Sequence, residues 1–243
     1  MEGDLRDQVL LLTGAGGGIG GAIAEKLSQS GMKIVLFGGN NREKLAATRE
    51  LAAKYAPCLM IPGDLTDRNF LVSGLERAAT EFGGIDVLIN CAGMAANTPF
   101  DQVSEADFDR IMAVNVKAPF FLTQLALPHL LRSKSASIVN ICSVVSHSGY
   151  PRQSTYSASK HALLGWTKSL AREYYQRGLR VHAICPGGVY TDMVKVSRPD
   201  LTADGMIMPS EIADIVHFLL THRGNAVIDE IGVHRLNKEP FLV

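Results

Sequence analysis

Tyr156 and Lys160 stand four positions apart in the run YSASKHALLG, residues 156–165. On an α-helix, residues at this spacing lie on the same face, with Cβ atoms roughly 5–6 Å apart. An isolated phenol has a pKa of about 10 and is a poor base at neutral pH, but a neighbouring ammonium stabilises the phenolate and lowers that pKa. The pair is therefore suited to proton exchange with a substrate, and the small residues between the two leave room for a ligand.

A hydroxyl group at the end of a neighbouring strand would complete such a site. The apolar run SIVNICS ends at Ser143, and the carboxyl ends of strands line the ligand crevice in open α/β sheets. A Y-x-x-x-K spacing alone is more often structural than catalytic, so it indicates a catalytic site only when other motifs accompany it. Ser143 is one of these, and a glycine-rich segment near the N-terminus is another.

The segment TGAGGGIG, residues 13–20, lies between an apolar run and the first helical stretch. Glycines turn tightly and bring bare main-chain N–H groups against a ligand, and the positive end of the following helix attracts a pyrophosphate. In this strand–turn–helix position the spacing predicts dinucleotide binding. The alternative is a turn that needs glycine only for packing. A Walker A phosphate loop is excluded because no Gly-Lys-Ser/Thr follows.

The segment LFGGNNREKL, residues 36–45, bears on which dinucleotide binds. Gly38 and Gly39 stand where an acidic residue would accept hydrogen bonds from the adenosine ribose of NAD. Asn40 follows, and Arg42 is close enough to contact the 2′-phosphate of NADP, although a solvent-exposed residue in the first turn of a helix is an equally good interpretation. The absence of an acid favours NADP(H) over NAD(H).

Short apolar runs alternate with longer segments of helical period along the chain. Runs that are apolar throughout are typical of strands buried on both faces. The alternation predicts one doubly wound α/β domain over residues 1–243, with a mostly parallel seven-stranded sheet and helices on both faces. An eight-stranded barrel is the alternative, but it needs another unit and does not explain the glycine-rich first turn. The expected strands are residues 8–14, 33–38, 58–63, 85–90, 137–143, 179–187 and 226–236, and the expected helices are residues 19–30, 42–55, 68–82, 155–176, 210–221 and a long helix ending at 131.

The composition narrows the class of protein. Lys plus Arg and Asp plus Glu balance at 24 each, which gives no sign of a nucleic-acid partner. The first residues, MEGDLRDQ, are too charged for a secretory signal, and no run of about 20 apolar residues suggests a membrane span. The four cysteines lack a C-x-x-C pair and indicate reduced thiols, neither a disulfide framework nor a zinc site. We expect a cytoplasmic protein without a membrane partner, and the sequence offers no His, Cys and carboxylate cluster for a metal.

Six motifs occur in the order found in the short-chain dehydrogenase/reductase family, which the chain resembles from about residue 7 to 236. They are TGAGGGIG (13–20), DLTD (64–67), NCAG (90–93), NVKAPF (115–120), SVVSHSGYPRQSTYSASK (143–160) and PGGVYT (186–191). The resemblance implies a Rossmann-like fold and hydride transfer between NAD(P)(H) and a carbonyl or secondary alcohol, without a metal. It also implies a homodimer or homotetramer, for which residues 105–131, apolar on more than one face, would supply an interface with the helix of Tyr156.

The resemblance also assigns roles to individual residues. It implies that Tyr156 exchanges a proton with the substrate oxygen, that Ser143 hydrogen-bonds this oxygen, and that Lys160 assists the tyrosine and holds the nicotinamide ribose. Asn115 matches an asparagine that supports a water relay to the lysine. The remaining matches are cofactor contacts: Gly14, Gly18, Ile19 and Gly20 for the pyrophosphate, Asp64 and Leu65 for the adenine, Asn90, Ala92 and Gly93 for the adenosine ribose, and Pro186, Gly187, Val189 and Thr191 for the nicotinamide carboxamide and diphosphate.

The substrate is set in this family by the loop after the PG segment and by the C-terminus. Residues 193–209 form a short loop here, and the tail VIDEIGVHRLNKEPFLV lacks the T-G-Q…D-G-G pattern found in typical 3-oxoacyl-acyl carrier protein reductases. This absence weakens the assignment to such reductases, so a 3-oxoacyl-acyl carrier protein reductase is kept as the alternative to a reductase of small or medium ketones. A non-catalytic dinucleotide-sensing protein on the same fold is another alternative, and a methyltransferase is a more distant one.

Two further features have no assigned role. His147 lies in a loop that should border the substrate, but a solvent-facing loop histidine is the commoner case. Cys91, Cys142 and Cys185 fall at strand ends near the predicted crevice and are interpreted as small buried fillers. Cys142, beside the predicted catalytic serine, would make the enzyme sensitive to oxidation.

Overall fold

The computed structural model describes residues 3–197 and 202–238. Within these ranges the chain forms seven β-strands and eight α-helices, and a π-helix, Ala113–Lys117, joins the fourth helix to the fifth. The strands are β1 Val9–Thr13, β2 Lys33–Phe37, β3 Cys58–Ile61, β4 Val87–Asn90, β5 Ser137–Ile141, β6 Arg180–Pro186 and β7 Glu230–Val233. The helices are α1 Gly18–Gln29, α2 Arg42–Ala52, α3 Arg68–Phe82, α4 Glu105–Met112, α5 Ala118–Leu130, α6 Ser154–Tyr174, α7 Asp192–Ser197 and α8 Pro209–Thr221.

The seven strands form one sheet in the order β3-β2-β1-β4-β5-β6-β7, and every neighbouring pair is parallel. The chain winds outwards from β1 to β3 and then returns to the other side of β1 with β4. At such a reversal the loops that follow the strands part and leave a crevice at the carboxyl ends. The predicted doubly wound, seven-stranded fold is confirmed, and the sheet is parallel throughout.

Helices cover both faces of the sheet. Along β1, Leu10 and Leu12 pack on the face covered by α1 and α8, whereas Val9 and Leu11 pack on the face covered by α3 and α5. All four residues are at most 3% exposed. A strand between two helical layers has no polar face, which accounts for the unbroken apolar runs in the sequence.

Local signals set several element ends. The side chain of Asn41 accepts a hydrogen bond from the main chain of Lys44 and so caps α2, and Gly83 ends α3 in the left-handed conformation with φ 84°. Helix α2 ends at Ala52 and not at residue 55, and the following residues form turns in which Tyr55 and Ala56 both donate to the carbonyl oxygen of Ala52. Strand β7 has four residues where eleven were expected, and its C-terminal end is set at the pair Pro186–Val233, where its partner β6 ends.

The long helix that was expected to end at residue 131 is interrupted by the π-helix. The continuous helical segment Glu105–Leu130 is long and apolar enough, by length and composition only, to cross a membrane. In the fold, Leu122, Ala126 and Leu130 pack in the hydrophobic core against one face of the sheet. We therefore interpret this segment as a core helix.

Helix α7 occupies the first part of the segment that was expected to be a loop at residues 193–209. The helix begins at Asp192, whose acidic side chain suits the positive end of a helix. A main-chain bridge between Val189 and Ile207 holds the two ends of this segment together. Residues 198–201 of the predicted loop lie outside the described ranges.

Candidate active site

A cleft of about 750 Å³ lies at the carboxyl ends of the strands, where the strand order reverses. Its size falls in the range of cofactor and ligand sites in proteins. Ten of the predicted cofactor contacts line it: Gly14, Gly18, Ile19, Gly20, Asn40, Asp64, Leu65, Ala92, Gly93 and Thr191.

The glycine loop has no space for side chains at two positions. Gly14 has φ 72°, and a Cβ atom there would lie 2.6 Å from the main-chain nitrogen of Ala92. At Gly20 a Cβ atom would lie 2.3 Å from the carbonyl oxygen of Gly14. Helix α1 begins in this loop, and Gly17 at its N-cap has no side chain to satisfy the first N–H groups. The loop therefore presents main-chain donors and a positive helix end to the cleft, as a pyrophosphate site requires.

Thr13, to which the sequence assigned no role, anchors the opposite wall of the cleft. Its Oγ1 accepts hydrogen bonds from the main-chain nitrogens of Cys91 at 3.1 Å and Ala92 at 3.2 Å. The side chain is 3% exposed. One threonine at the end of β1 thus holds the loop that follows β4, and its position directly before the glycine loop was the available signal.

The chain after β2 contributes Asn40 and Lys44 to the cleft, whereas Arg42, the predicted phosphate contact, is not among the lining residues. The ammonium of Lys44 lies 2.6 Å from a carboxylate oxygen of Asp192, and both groups are more than half exposed. The ion pair joins α2 to α7 beside the cleft. Lys44 is two positions beyond Arg42, so the segment named from the sequence does reach the cleft, but with a different cation.

Asp64 and Leu65, the predicted adenine contacts, both line the cleft. One carboxylate oxygen of Asp64 accepts hydrogen bonds from the main-chain nitrogen of Thr66 at 2.9 Å and from its hydroxyl at 2.8 Å. The main-chain bond, followed by the hydroxyl bond, lowers the pKa of the Asp64 carboxyl below its usual value. Asp64 therefore remains an ionised acceptor through the neutral range.

Tyr156 and Lys160 lie together on α6, as the spacing predicted. The Lys160 Nζ is 5.8 Å from the centre of the Tyr156 ring. Lys160 is 4% exposed, and its ammonium donates a hydrogen bond to the carbonyl oxygen of Ile141 at 2.8 Å. Burial and this bond fix the cation beside the phenol and at the end of β5.

Ser143 follows β5 and is 8% exposed. Its Oγ accepts a hydrogen bond from the nitrogen of Val145 at 3.3 Å and donates one to the carbonyl oxygen of Pro186 at 3.4 Å. Both bonds are long, so the hydroxyl can exchange its donor bond for a better acceptor. Pro186 thus meets the site through its carbonyl group.

Asn115 lies in the π-helix and is 1% exposed. Its Oδ1 accepts from the nitrogen of Met94, and its Nδ2 donates to the oxygen of Met94, both at 2.8 Å. Nδ2 also donates to the Ser159 hydroxyl at 3.0 Å. A Cβ atom at Gly93 would lie 3.5 Å from the Asn115 Oδ1 and 3.7 Å from the Lys160 Nζ. Gly93, which lines the cleft, is thus packed directly against two of the predicted catalytic residues.

Seven of the predicted cofactor contacts lie outside the cleft lining, namely Arg42, Asn90, Tyr156, Lys160, Pro186, Gly187 and Val189. Asn90 is 3% exposed, and its Nδ2 donates to Thr123 at 3.1 Å and to Asn140 at 2.8 Å in a polar network between β4, β5 and α5. Gly187 and Val189 follow β6, where Gly187 donates its N–H to Val233 and Val189 bridges to residue 207. The Asn90 Oδ1 is buried and has no hydrogen-bond partner within the described residues.

Cys91 lines the cleft, and burial raises the pKa of its thiol to about 12. Its thiol stays protonated at neutral pH and is therefore a poor nucleophile. Near the site, the fold brings His147, Cys185 and Glu230 together, a set that the sequence did not indicate, with one potential ligand atom of each lying within 4.8 Å of the others.

Comparisons with known proteins agree with this arrangement. The short chain dehydrogenase family matches residues 8–202. The 3-oxoacyl-acyl-carrier-protein reductase FabG of Aquifex aeolicus (strain VF5) is 32% identical over 240 residues, which cover 95% of this chain and 97% of the relative. The (S)-acetoin-forming diacetyl reductase of Staphylococcus epidermidis (strain ATCC 12228 / FDA PCI 1200) is 34% identical over 184 residues, or 75% and 72% of the two chains.

A solved structure is similar over the whole fold as well. The structure of a metagenomic short-chain oxidoreductase in complex with NADP has a TM-score of 0.83 and 31% identity, and the match covers 97% of this chain and 100% of that chain. The family match spans more than half of the sequence and includes the glycine loop, Tyr156 and Lys160. The chain belongs to the short-chain dehydrogenase/reductase family and is an NAD(P)-dependent oxidoreductase.

Proposed function

We propose that this oxidoreductase reduces a small or medium ketone, or oxidises the matching secondary alcohol, with Tyr156 as the acid and base. The observation that carries the proposal is the position of Lys160, whose buried ammonium lies beside the Tyr156 ring and against Gly93 at the cleft. Burial of a cation costs free energy unless nearby groups compensate it. A buried cation next to a phenol supports stabilisation of the phenolate during proton transfer.

The cleft fits a dinucleotide cofactor. The glycine loop has close main-chain contacts that a Cβ atom would block, and the uncapped start of α1 supplies N–H donors for a pyrophosphate. A bound nicotinamide cofactor supplies or accepts the hydride. The residues that would hold it are Gly14, Gly18, Ile19 and Gly20 at the pyrophosphate, Asp64 and Leu65 at the adenine, Ala92 and Gly93 at the adenosine ribose, and Thr191 near the diphosphate, with Lys160 at the nicotinamide ribose.

The protein's own groups perform the proton chemistry. The Ser143 hydroxyl donates a hydrogen bond to the substrate carbonyl in place of its long bond to Pro186. The Tyr156 hydroxyl gives its proton to the same oxygen during reduction and recovers it during alcohol oxidation. Lys160 stabilises the resulting phenolate. Asn115 connects the loop at Met94, which lines the cleft, to α6 by hydrogen bonds to Met94 and Ser159.

Replacement of Tyr156 by Phe tests this proposal. The variant keeps the ring and loses the transferable proton, so kcat with NADPH and a carbonyl substrate is expected to fall by about 10²–10⁴-fold. The dissociation constant for NADPH should change little. Tyr175→Phe, at an exposed tyrosine just beyond α6, is the matched control and should retain the wild-type rate. Undiminished turnover in Tyr156→Phe would refute the assignment.

Two alternatives lead to different measurements. The relative named FabG favours a 3-oxoacyl thioester on a carrier protein as substrate, whereas the relative named diacetyl reductase favours a small diketone. We favour the small or medium ketone because the C-terminal segment departs from the carrier-protein reductases. A ratio of kcat/KM values for diacetyl and for acetoacetyl-carrier protein decides between them. Tight NADPH binding without turnover on a broad carbonyl panel would favour a dinucleotide sensor.

We further propose that NADP(H) is preferred over NAD(H). Gly38 and Gly39 offer no carboxylate to the adenosine ribose, and Asn40 and Lys44 line the cleft in the segment that follows. A 2′-phosphate would replace Asp192 as the partner of Lys44, whose ammonium is exposed enough to turn.

The cofactor preference is tested with Lys44→Gln and its neighbour Arg42→Gln. Lys44→Gln is expected to weaken NADPH binding by about tenfold, which corresponds to one charge-assisted contact of about 1.4 kcal/mol, and to leave NADH binding unchanged. Arg42→Gln is the control. An equal loss for both cofactors, or a loss confined to Arg42→Gln, contradicts the role of Lys44.

We also propose that residues 1–243 form one domain that assembles as a cytoplasmic homodimer or homotetramer. Phe108 on α4 and Phe120 on α5 are each 43% exposed, and Phe120 packs edge-on against Trp166 of α6. Exposed aromatic groups on adjoining helices support an interface with a second copy. Light scattering after size exclusion should show an oligomer that Phe120→Glu weakens and the control Tyr55→Glu leaves intact.

A further inference from the structure

Outside the cofactor cleft, three side chains of different elements meet beside the edge strand of the sheet. His147 ends the short turn that follows Ser143, Cys185 lies near the end of β6, and Glu230 begins β7. We propose that these three residues bind a divalent transition-metal ion of the zinc type. The proposed site is separate from the hydride-transfer chemistry and does not depend on it.

The sheet register explains how the ligands meet. Glu230 is paired with Ala183 in the parallel ladder, and Cys185 is two positions further along β6. Side chains two residues apart on a strand share a face, so the Cys185 thiol and the Glu230 carboxylate lie diagonally opposed on the same side. His147 reaches this side from the end of β5. Strand order, not sequence proximity, assembles the set.

The distances suit a small metal ion. The Cys185 Sγ is 3.5 Å from the Glu230 Oε1, and the His147 Nε2 contacts the same oxygen. In tetrahedral zinc sites, with bonds of about 2.0–2.3 Å, ligand atoms are separated by roughly 3.3–3.7 Å. The thiol and carboxylate already have this separation, and a rotation of the carboxylate brings the imidazole to it.

The chemistry of the three groups selects the ion. Thiolate and imidazole ligands suit zinc and related transition metals, whereas magnesium and calcium prefer an all-oxygen shell. Three protein ligands leave a fourth position for water. Cys185 is 1% exposed at the base, while the side chains of His147 and Glu230 are 38% and 26% exposed at the rim. The site therefore has one buried ligand, Cys185, and two ligands that an ion can reach from solvent.

Other polar groups around the site must be compatible with a cation. The Lys168 Nζ lies 3.4 Å from the Glu230 Oε2, but this side chain is 56% exposed and can turn into solvent. Lys160 is directed to the carbonyl of Ile141. The neighbouring Cys142 and burial raise the pKa of the Cys185 thiol above its usual value, so a metal ion that binds there must displace the thiol proton. A bound metal would tie the turn after Ser143 to β7, so its occupancy would stiffen one wall of the substrate region.

The test uses the full-length chain after removal of metals with a chelator. Cobalt(II) is titrated as the probe, and zinc(II) is then added in competition. One equivalent of cobalt is expected to produce a thiolate-to-cobalt charge-transfer band and the visible bands of tetrahedral coordination, and zinc should abolish both. His147→Gln and Glu230→Gln change partly exposed residues and should each weaken cobalt binding by about tenfold or more.

Matched controls separate this site from other cysteines and histidines. Cys58→Ser and His161→Gln change the same residue types elsewhere and should leave the titration unchanged. Cys185→Ser should remove the charge-transfer band if the variant folds, as judged by circular dichroism. The proposal is overturned if wild-type protein gives no charge-transfer band. It is equally overturned if the band and affinity persist in both His147→Gln and Glu230→Gln.

Discussion

Thr13→Val removes one hydroxyl group while it keeps the shape of the side chain at the end of β1. In the native protein this hydroxyl is the acceptor for the main-chain N–H groups of Cys91 and Ala92, at 3.1 and 3.2 Å. Valine offers no acceptor, so both donors lose their partner in a partly buried position. The loop that forms one wall of the cofactor cleft loses its attachment to β1.

The expected loss of stability follows from these two contacts. A buried N–H group left without an acceptor costs about 1–3 kcal/mol, and the part-buried setting places each near the lower end. The sum is about 2–3 kcal/mol, and at roughly 2–4 °C per kcal/mol for a chain of this size the melting temperature should fall by about 4–12 °C. NADPH binding should weaken as well, because residues 91–94 line the cleft.

Urea unfolding and calorimetric titration with NADPH measure the two effects. Thr13→Ser is the matched control, since it keeps the hydroxyl and loses only a methyl group worth about 0.8 kcal/mol. The serine variant should therefore be more stable than the valine variant and bind NADPH more tightly. If Thr13→Val equals or exceeds Thr13→Ser in stability, the hydroxyl does not anchor the loop and the reasoning fails.

Three further outcomes are expected. Gly38→Ala should lower the unfolding free energy by about 1–2 kcal/mol more than Gly39→Ala in urea titrations. Both glycines have positive φ, but only at Gly38 would the new Cβ lie 2.5 Å from the side chain of Leu65. Equal losses of unfolding free energy in the two variants would contradict this reasoning. Burial raises the pKa of Cys58 to about 11. The rate of its alkylation by iodoacetamide at pH 7.5, followed by mass spectrometry, should therefore be roughly 300-fold lower than for a thiol of pKa about 8.5, and the rate should increase with pH. Fast labelling at neutral pH would be inconsistent with the raised pKa. Burial lowers the pKa of His182, so below about pH 6.5 the unfolded chain binds a proton that the folded chain does not, and the free energy of unfolding falls as the pH drops. His182→Gln should flatten this fall between about pH 7 and 5 in urea titrations. An unchanged slope would exclude His182 as its source.

Sequence reasoning succeeded where the determining interactions are local. The four-residue spacing of Tyr156 and Lys160 fixes their common face as soon as the segment is helical. The unbroken apolar runs likewise predicted strands between two helical layers, because burial on both faces leaves no polar positions. The glycine loop was recognisable since its backbone geometry excludes side chains at Gly14 and Gly20.

Other features depend on contacts that no local pattern encodes. Arg42 and Lys44 share the first turn of α2, and which of them faces the cleft depends on the rotation of that helix, held by the bond from Thr48 to the carbonyl of Ala15 at 2.9 Å. Asn90 lies in a family motif, yet its side chain turns into the interior to bond Asn140. His147, Cys185 and Glu230 are brought together only by the order of β5, β6 and β7.

The π-helix at Ala113–Lys117 constrains the length of the chain as well as its chemistry. Such a wide turn amounts to one extra residue within a helix that is otherwise regular. Excision of a single residue there would convert the wide turn into an ordinary helical turn, and the flanking segments would keep their facing, so Leu122 and Ala126 would stay in the core. The widened turn that carries Asn115 would be lost, and with it the hydrogen bonds between Asn115 and Met94. The extra residue is therefore required by the site and not by the packing of the helix.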